Sequence, residues 1–157
     1  MRARAACALL AAVAAGCAQA PAERDVLAKG AAFDFSDPAA FTLSEDGAEL
    51  ALVGPADYAP PHRSPRAIAL ADGAEYRSFT LDAELMQTGR EYGHRDLCLV
   101  FGFEAAARYY YVHLATTPDQ NAHNVFLVDG APRRNLIEPQ ESGVDWGQEE
   151  WHHVRLV

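Results

Sequence analysis

Beyond its first residues, no stretch of this chain repeats apolar side chains at the three-to-four-residue spacing of an amphipathic helix, and that absence excludes most architectures at once. Short apolar runs appear instead, broken by Gly47, Gly54-Pro55, Pro60-Pro61, Asp72-Gly73, Gly93 and Asp129-Gly130. Glycine and aspartate tolerate the backbone of tight turns, and proline cannot donate to a sheet ladder, so such punctuation separates strands. The pattern predicts an all-β fold, an antiparallel β-sandwich or a barrel. Strands are expected over Ala32–Phe35, Glu49–Val53, Ala67–Leu70, Arg77–Gln87, Asp96–Phe103, Arg108–Ala115, Asn124–Val128, Asn135–Ile137 and Trp151–Val157. Asp129-Gly130 is the strongest hairpin signal among the turns.

Successive side chains on a strand point to opposite faces, so each run divides into two sets. In Arg108–Ala115 (RYYYVHLA), Tyr110, Val112 and Leu114 form one set, and Tyr109, Tyr111 and His113 the other. The first is expected in the core. The second carries two phenols and an imidazole, groups that favour one wet end, and is expected to face solvent. Phe79, Leu81, Ala83 and Leu85 are expected inside, with Thr80, Asp82, Glu84 and Met86 outside. Val154 and Leu156 likewise alternate with Trp151, His153 and Arg155.

The first 16 residues read as a bacterial export signal, basic in MRAR and then rich in alanine and leucine. Ala14-Ala-Gly-Cys17 has the form of a lipobox, in which Cys17 becomes the lipidated mature N-terminus; a signal peptidase site at Ala18-Gln-Ala20 is the alternative. Residues 17–30 then form a tether, and 31–157 the folded domain. This places the protein at the cell envelope, touching the membrane only through the lipid. Processing removes Arg2 and Arg4, so net charge moves from −9 to −11, with 11 basic against 22 acidic residues. Such a surface repels nucleic acid and anionic lipid. Cys98, in the apolar run LCLV, is expected to be a small buried hydrophobe.

FDFSDPAAFTL, the DLCLVFGF and RYYYVHLA pair, HNVFLVDGAPRR and the closing WHHVRLV together resemble the concanavalin A-like lectin/glucanase superfamily, and within it laminin-G-like jelly-roll domains of secreted bacterial proteins. The resemblance spans about Phe33 to Val157. It implies a jelly roll, and because such domains continue past the tryptophan-histidine strand, it implies one that is incomplete at its C-terminus. The fold hosts lectins, hydrolases, lyases and adhesion modules alike, so activity has to be argued from the site.

Asp82 and Glu84 share one strand face, as the acids of some glycoside hydrolases do, but Thr80 stands where such an enzyme's first glutamate would lie. A retaining hydrolase needs two carboxyls about 5–5.5 Å apart. Tyr109, Tyr111 and His113 with Arg155 would suit a sugar-binding groove, a polysaccharide lyase or a plain aromatic ladder. Thr116–Asn124 is rich in oxygen donors without matching a calcium motif, which leaves calcium open and no other cofactor implied. His152 and His153 point to opposite faces and cannot share a metal. The resulting expectation is a carbohydrate-binding or adhesion module whose sheet face, bearing Tyr109, Tyr111, His113, Glu84, Asp82 and Arg155, takes a polysaccharide. A hydrolase or lyase on the same fold is the second reading, and a structural envelope domain the third.

Overall fold

A computed structural model describes residues 5–6, 32–71 and 77–157. The leader and tether, with Cys17, lie outside the described residues apart from 5–6. The protein is all-β: antiparallel pairing joins every strand, and the described residues include one short 3-10 turn at Pro38–Ala40 and no α-helix. Asp37 caps that turn, its carboxylate accepting from the Ala39 N–H at 3.0 Å.

In chain order the strands are β1 (Ala5–Ala6), β2 (Phe33–Phe35), β3 (Phe41–Leu43), β4 (Leu50–Leu52), β5 (Ala69–Ala71), β6 (Leu81–Met86), β7 (Asp96–Ala105), β8 (Arg108–Ala115), β9 (Asn124–Asp129), β10 (Arg134–Asn135) and β11 (Trp151–Leu156). The expected strands are present, most of them within a few residues of their expected ends. β3 is an addition. Its Phe41-Thr-Leu43 follows the capped turn directly and pairs back on β4, Phe41 opposite Leu52. The largest sheet runs β10-β9-β8-β7, and β6 pairs with β11, β2 with β5, and β4 with both β1 and β3. Gly130, at φ +63, opens the turn between β9 and β10, as the Asp-Gly signal implied.

β8 is the centre of the molecule and lies between β7 and β9. Its pairing sets Tyr111 between Val100 and Phe126, and His113 between Cys98 and Asn124. On the other face Val112 lies between Leu99 and Val125. The two faces are therefore both apolar enough to be covered. The Val112 face meets the layer containing β6 and β11, where Phe79 approaches Phe101 with centroids 6.0 Å apart. The alternation on β6 and β11 is as expected: Leu81 and Leu85 are buried, while Asp82, Glu84, His153 and Arg155 are exposed.

On β8 the expected burial is reversed. Tyr109 and Tyr111 have no exposed surface and His113 is 7 % exposed, whereas Tyr110 is 39 % exposed and Val112 and Leu114 are half-buried. The division into two sets holds, and the inward set is the other one. Neighbouring strands decide this. Val100, Phe126 and Val128 all stand on the Tyr111 face and are fully buried there. A bulge in β7 adds a further ring: Gly102–Glu104 oppose Tyr109 between the pairs Phe101–Tyr110 and Ala105–Arg108. Gly102, at φ +57, allows the irregularity, and Phe103 stacks on Tyr109 with centroids 5.3 Å apart.

Candidate functional site

The side chains proposed from sequence as one ligand face occupy two separate places. Asp82, Glu84 and Arg155 stand on the outer face of the β6–β11 pair, with Arg155 opposite Asp82 and His153 opposite Glu84. Asp82 is already engaged there, its Oδ1 lying 3.1 Å from His153 Nε2 and 3.8 Å from Arg155 Nε. Trp151 extends this strip and is 52 % exposed. Tyr109, Tyr111 and His113 belong to the four-stranded sheet and point away from the β6–β11 layer, into the core. No single groove unites the two groups.

What covers the Tyr109 face is the segment between β4 and β5. Residues 54–66 contain Pro55, Pro60, Pro61 and Pro65, each with φ fixed by its ring, so this segment is stiff without regular structure. Asp37 ties it down by accepting from the Asp57 N–H at 2.7 Å. At its end Ile68 is fully buried and its N–H donates to Ser36 Oγ at 2.9 Å. The segment folds around a cleft of about 470 Å³, lined by Tyr58, His62, Arg63, Ser64 and Arg66, with Pro60 and Pro61 among its walls. That volume falls within the range of small-molecule sites.

Two residues of the cleft wall, Tyr58 and Ser64, lie near the buried Tyr109 hydroxyl. Ser64 and Tyr58 both bear on the ionisation of the Tyr109 phenol, which burial pushes well above the ordinary tyrosine value. Burial likewise raises Tyr58. The Tyr58 hydroxyl is buried and lacks a hydrogen-bond partner among the described residues. A buried hydroxyl without a partner forfeits its hydration, about 1–3 kcal/mol, so such groups call for an explanation.

A chain of contacts joins the rim to the sheet. Arg63 Nη1 donates to Asn121 Oδ1 at 3.1 Å. The Asn121 carbonyl accepts from Arg133, whose Nη1 donates to the Tyr111 hydroxyl at 2.6 Å. Arg133 also lies over the Phe126 ring, 4.4 Å from its centroid. Further along β8, His113 Nε2 is 2.6 Å from Asp96 Oδ2, which orients the ring and leaves Nδ1 buried and without a partner among the described residues. His123, at φ 54, accepts from the Ala115 N–H through Nδ1 at 3.2 Å, and its pKa is lowered, chiefly by burial.

A larger cavity, about 820 Å³, opens where β11 ends, among Phe79, Phe101, Val112, Val125, Leu156 and Val157. Its lining also includes Arg77, Ser78 and Thr80, and its apolar walls are partly exposed, Val157 almost fully. Among the described residues no three histidine, cysteine, aspartate or glutamate side chains converge as a metal site, and the Asp119 carboxylate is turned onto the Asn121 N–H within its own loop. Cys98, expected to be buried, is half-buried. Beyond turn punctuation, no pattern singles out residues 54–66. The signal that was present is a cluster of Tyr58, His62, Arg63 and Arg66 within an otherwise acidic chain.

No protein-family model, curated protein or solved structure matches this chain.

Proposed function

We propose that the protein is a carbohydrate-binding module of an exported lipoprotein, and that it takes glycan in the cleft enclosed by residues 56–66. The observation that carries this reading is the partnerless Tyr58 hydroxyl in a proline-stiffened cleft lined by His62, Arg63, Ser64 and Arg66. Sugars offer an apolar ring face edged by hydroxyls. Tyr58, Pro60 and Pro61 can cover the first, and the polar side chains can read the second. Four prolines lower the ordering cost on binding. The resemblance of the chain to concanavalin A-like jelly rolls supports the same class, as does an all-β, antiparallel fold.

Binding rather than turnover is the better-supported activity. The two carboxylates that sequence offered, Asp82 and Glu84, stand on the outer face of β6, and Asp82 is occupied by His153 and Arg155. Catalysis would require an acid and a base about the bound sugar. A glycan array probed with the folded protein tests the proposal: retention on one glycan class, lost in Tyr58→Ala with an unchanged circular dichroism spectrum, is expected. Retention unaffected by Tyr58→Ala would move the site elsewhere, and release of reducing ends or of an unsaturated product would replace binding with hydrolysis or lysis.

A further inference from the structure

Resting on that reading of the cleft, we propose that its ligand is an acidic saccharide, a sugar unit carrying a carboxylate, held by Arg63 and Arg66. Charge distribution is the first ground. The chain has 22 acidic against 13 basic residues, yet the cleft wall carries Arg63, Arg66 and His62 against Asp57 alone. This inversion is local and lies on a wall that encloses space.

The second ground is how arginines elsewhere on the same surface are used. Arg108 reaches Glu104 and Asp129, each at 3.3 Å, and Arg155 lies 3.8 Å from Asp82. Of the other exposed arginines, Arg108 and Arg155 thus find carboxylates within the chain, and Arg77, Arg90 and Arg134 make no ion pair among the described residues. Among the described residues Arg63 and Arg66 make no ion pair. Arg63 is positioned by its bond to Asn121, which uses one of its five N–H donors and leaves the rest of the fork available. A ligand carboxylate would accept two parallel N–H bonds from such a guanidinium fork.

The remaining lining selects among anions. Asp57 on the rim disfavours a dianion such as phosphate more than a monoanion. Tyr58, Pro60 and Pro61 give a pyranose ring a surface that a bare inorganic ion would leave uncovered, and the buried Tyr58 hydroxyl gives a ring hydroxyl a partner. A carboxylated sugar satisfies all three features; a neutral sugar leaves the arginines unmatched.

Titration calorimetry on the full chain tests this with trisaccharides of glucuronate, galacturonate and mannuronate, each beside its methyl ester, and with inorganic phosphate. At least one acid is expected to bind about tenfold or more tighter than its ester, the factor that one charge-assisted hydrogen bond confers. That preference should vanish in Arg63→Gln/Arg66→Gln, with an unchanged unfolding midpoint, and shrink as salt rises. Equal binding of acid and ester would overturn the inference and leave glycan binding in the cleft standing. Phosphate binding as tightly as the best acid would overturn the saccharide assignment. Glycan binding that survives both arginine changes but is lost in Trp151→Ala would overturn the cleft reading itself.

Discussion

Strand β8 and the outer face of β6–β11 pose the same sequence puzzle and resolve it in opposite ways. Each alternates an apolar set with a set of polar and aromatic groups. On β6 and β11 the mixed set, Asp82, Glu84, His153 and Arg155, faces solvent. On β8 the mixed set, Tyr109, Tyr111 and His113, is in the core. The difference lies in position. β8 has a partner on each side, one of its faces is fully covered and the other half-open, and the set of Tyr109, Tyr111 and His113 takes the covered one. β6 and β11 form a pair with one covered face, and there polarity alone decides. Period-two alternation identifies the two faces of a strand but does not say which is buried when both carry apolar bulk.

The sharpest test of that contrast is truncation on each face of β8. Tyr111 is fully buried, stacks on Phe126 at 5.1 Å between centroids and accepts a hydrogen bond from Arg133. Tyr111→Ala should cost about 3–5 kcal/mol in denaturant unfolding, the range for a large buried ring. Tyr110→Ala, on the half-open face, should cost about 1 kcal/mol or less. Equal losses would mean that the two faces are equivalent.

Close packing at the end of β8 should be nearly as sensitive. The Val144 N–H donates to the Ala115 carbonyl, and a Cβ added at Gly143 would come within 2.2 Å of the Thr116 carbonyl oxygen. Gly143→Ala is expected to destabilise by about 1–3 kcal/mol, the cost of overpacking. A neutral result in thermal unfolding would place this segment away from β8.

On the outer face the effects should be small. Asp82 is about half-exposed and its contacts to His153 and Arg155 are open to solvent. Asp82→Asn should change stability by about 0–1 kcal/mol, and less at high salt. A larger loss in urea unfolding would show that this strip is structurally as demanding as β8.

The smallest expected effect is a pH dependence. Burial holds the His123 pKa below that of a free histidine, and its Nδ1 accepts a proton only by losing the Ala115 N–H bond. The unfolded state therefore binds the proton more readily. The resulting stability is fully present above the unfolded value of about 6.5 and is lost as pH falls from there through the lower folded value. His123→Asn, which tolerates the positive φ, should flatten this part of the stability profile between neutral and mildly acidic pH. An unchanged slope would separate His123 from the acid response.

The fold class was legible because Gly, Pro and Asp-Gly turns cut the chain into strand-length pieces. The facing of β6 and β11 was legible because their outward residues are charged. The interior of β8 was not, because it depends on Val100, Phe126 and Phe103 arriving from other strands, and on a bulge at Gly102 whose shift no alternation displays. The cleft was hidden for a related reason. Residues 54–66 carry no periodicity, and only their folding over the sheet converts Pro60-Pro61 from punctuation into a wall.

Amide and indole chemical-shift mapping during titration with a bound glycan distinguishes the two regions most directly. The expected result is perturbation confined to residues 56–66, Asn121 and the strand positions beneath them, with the Trp151 indole unmoved. Perturbation of Trp151, His153 and the β6 amides, with residues 56–66 silent, would contradict the proposed site and assign recognition to the exposed strip.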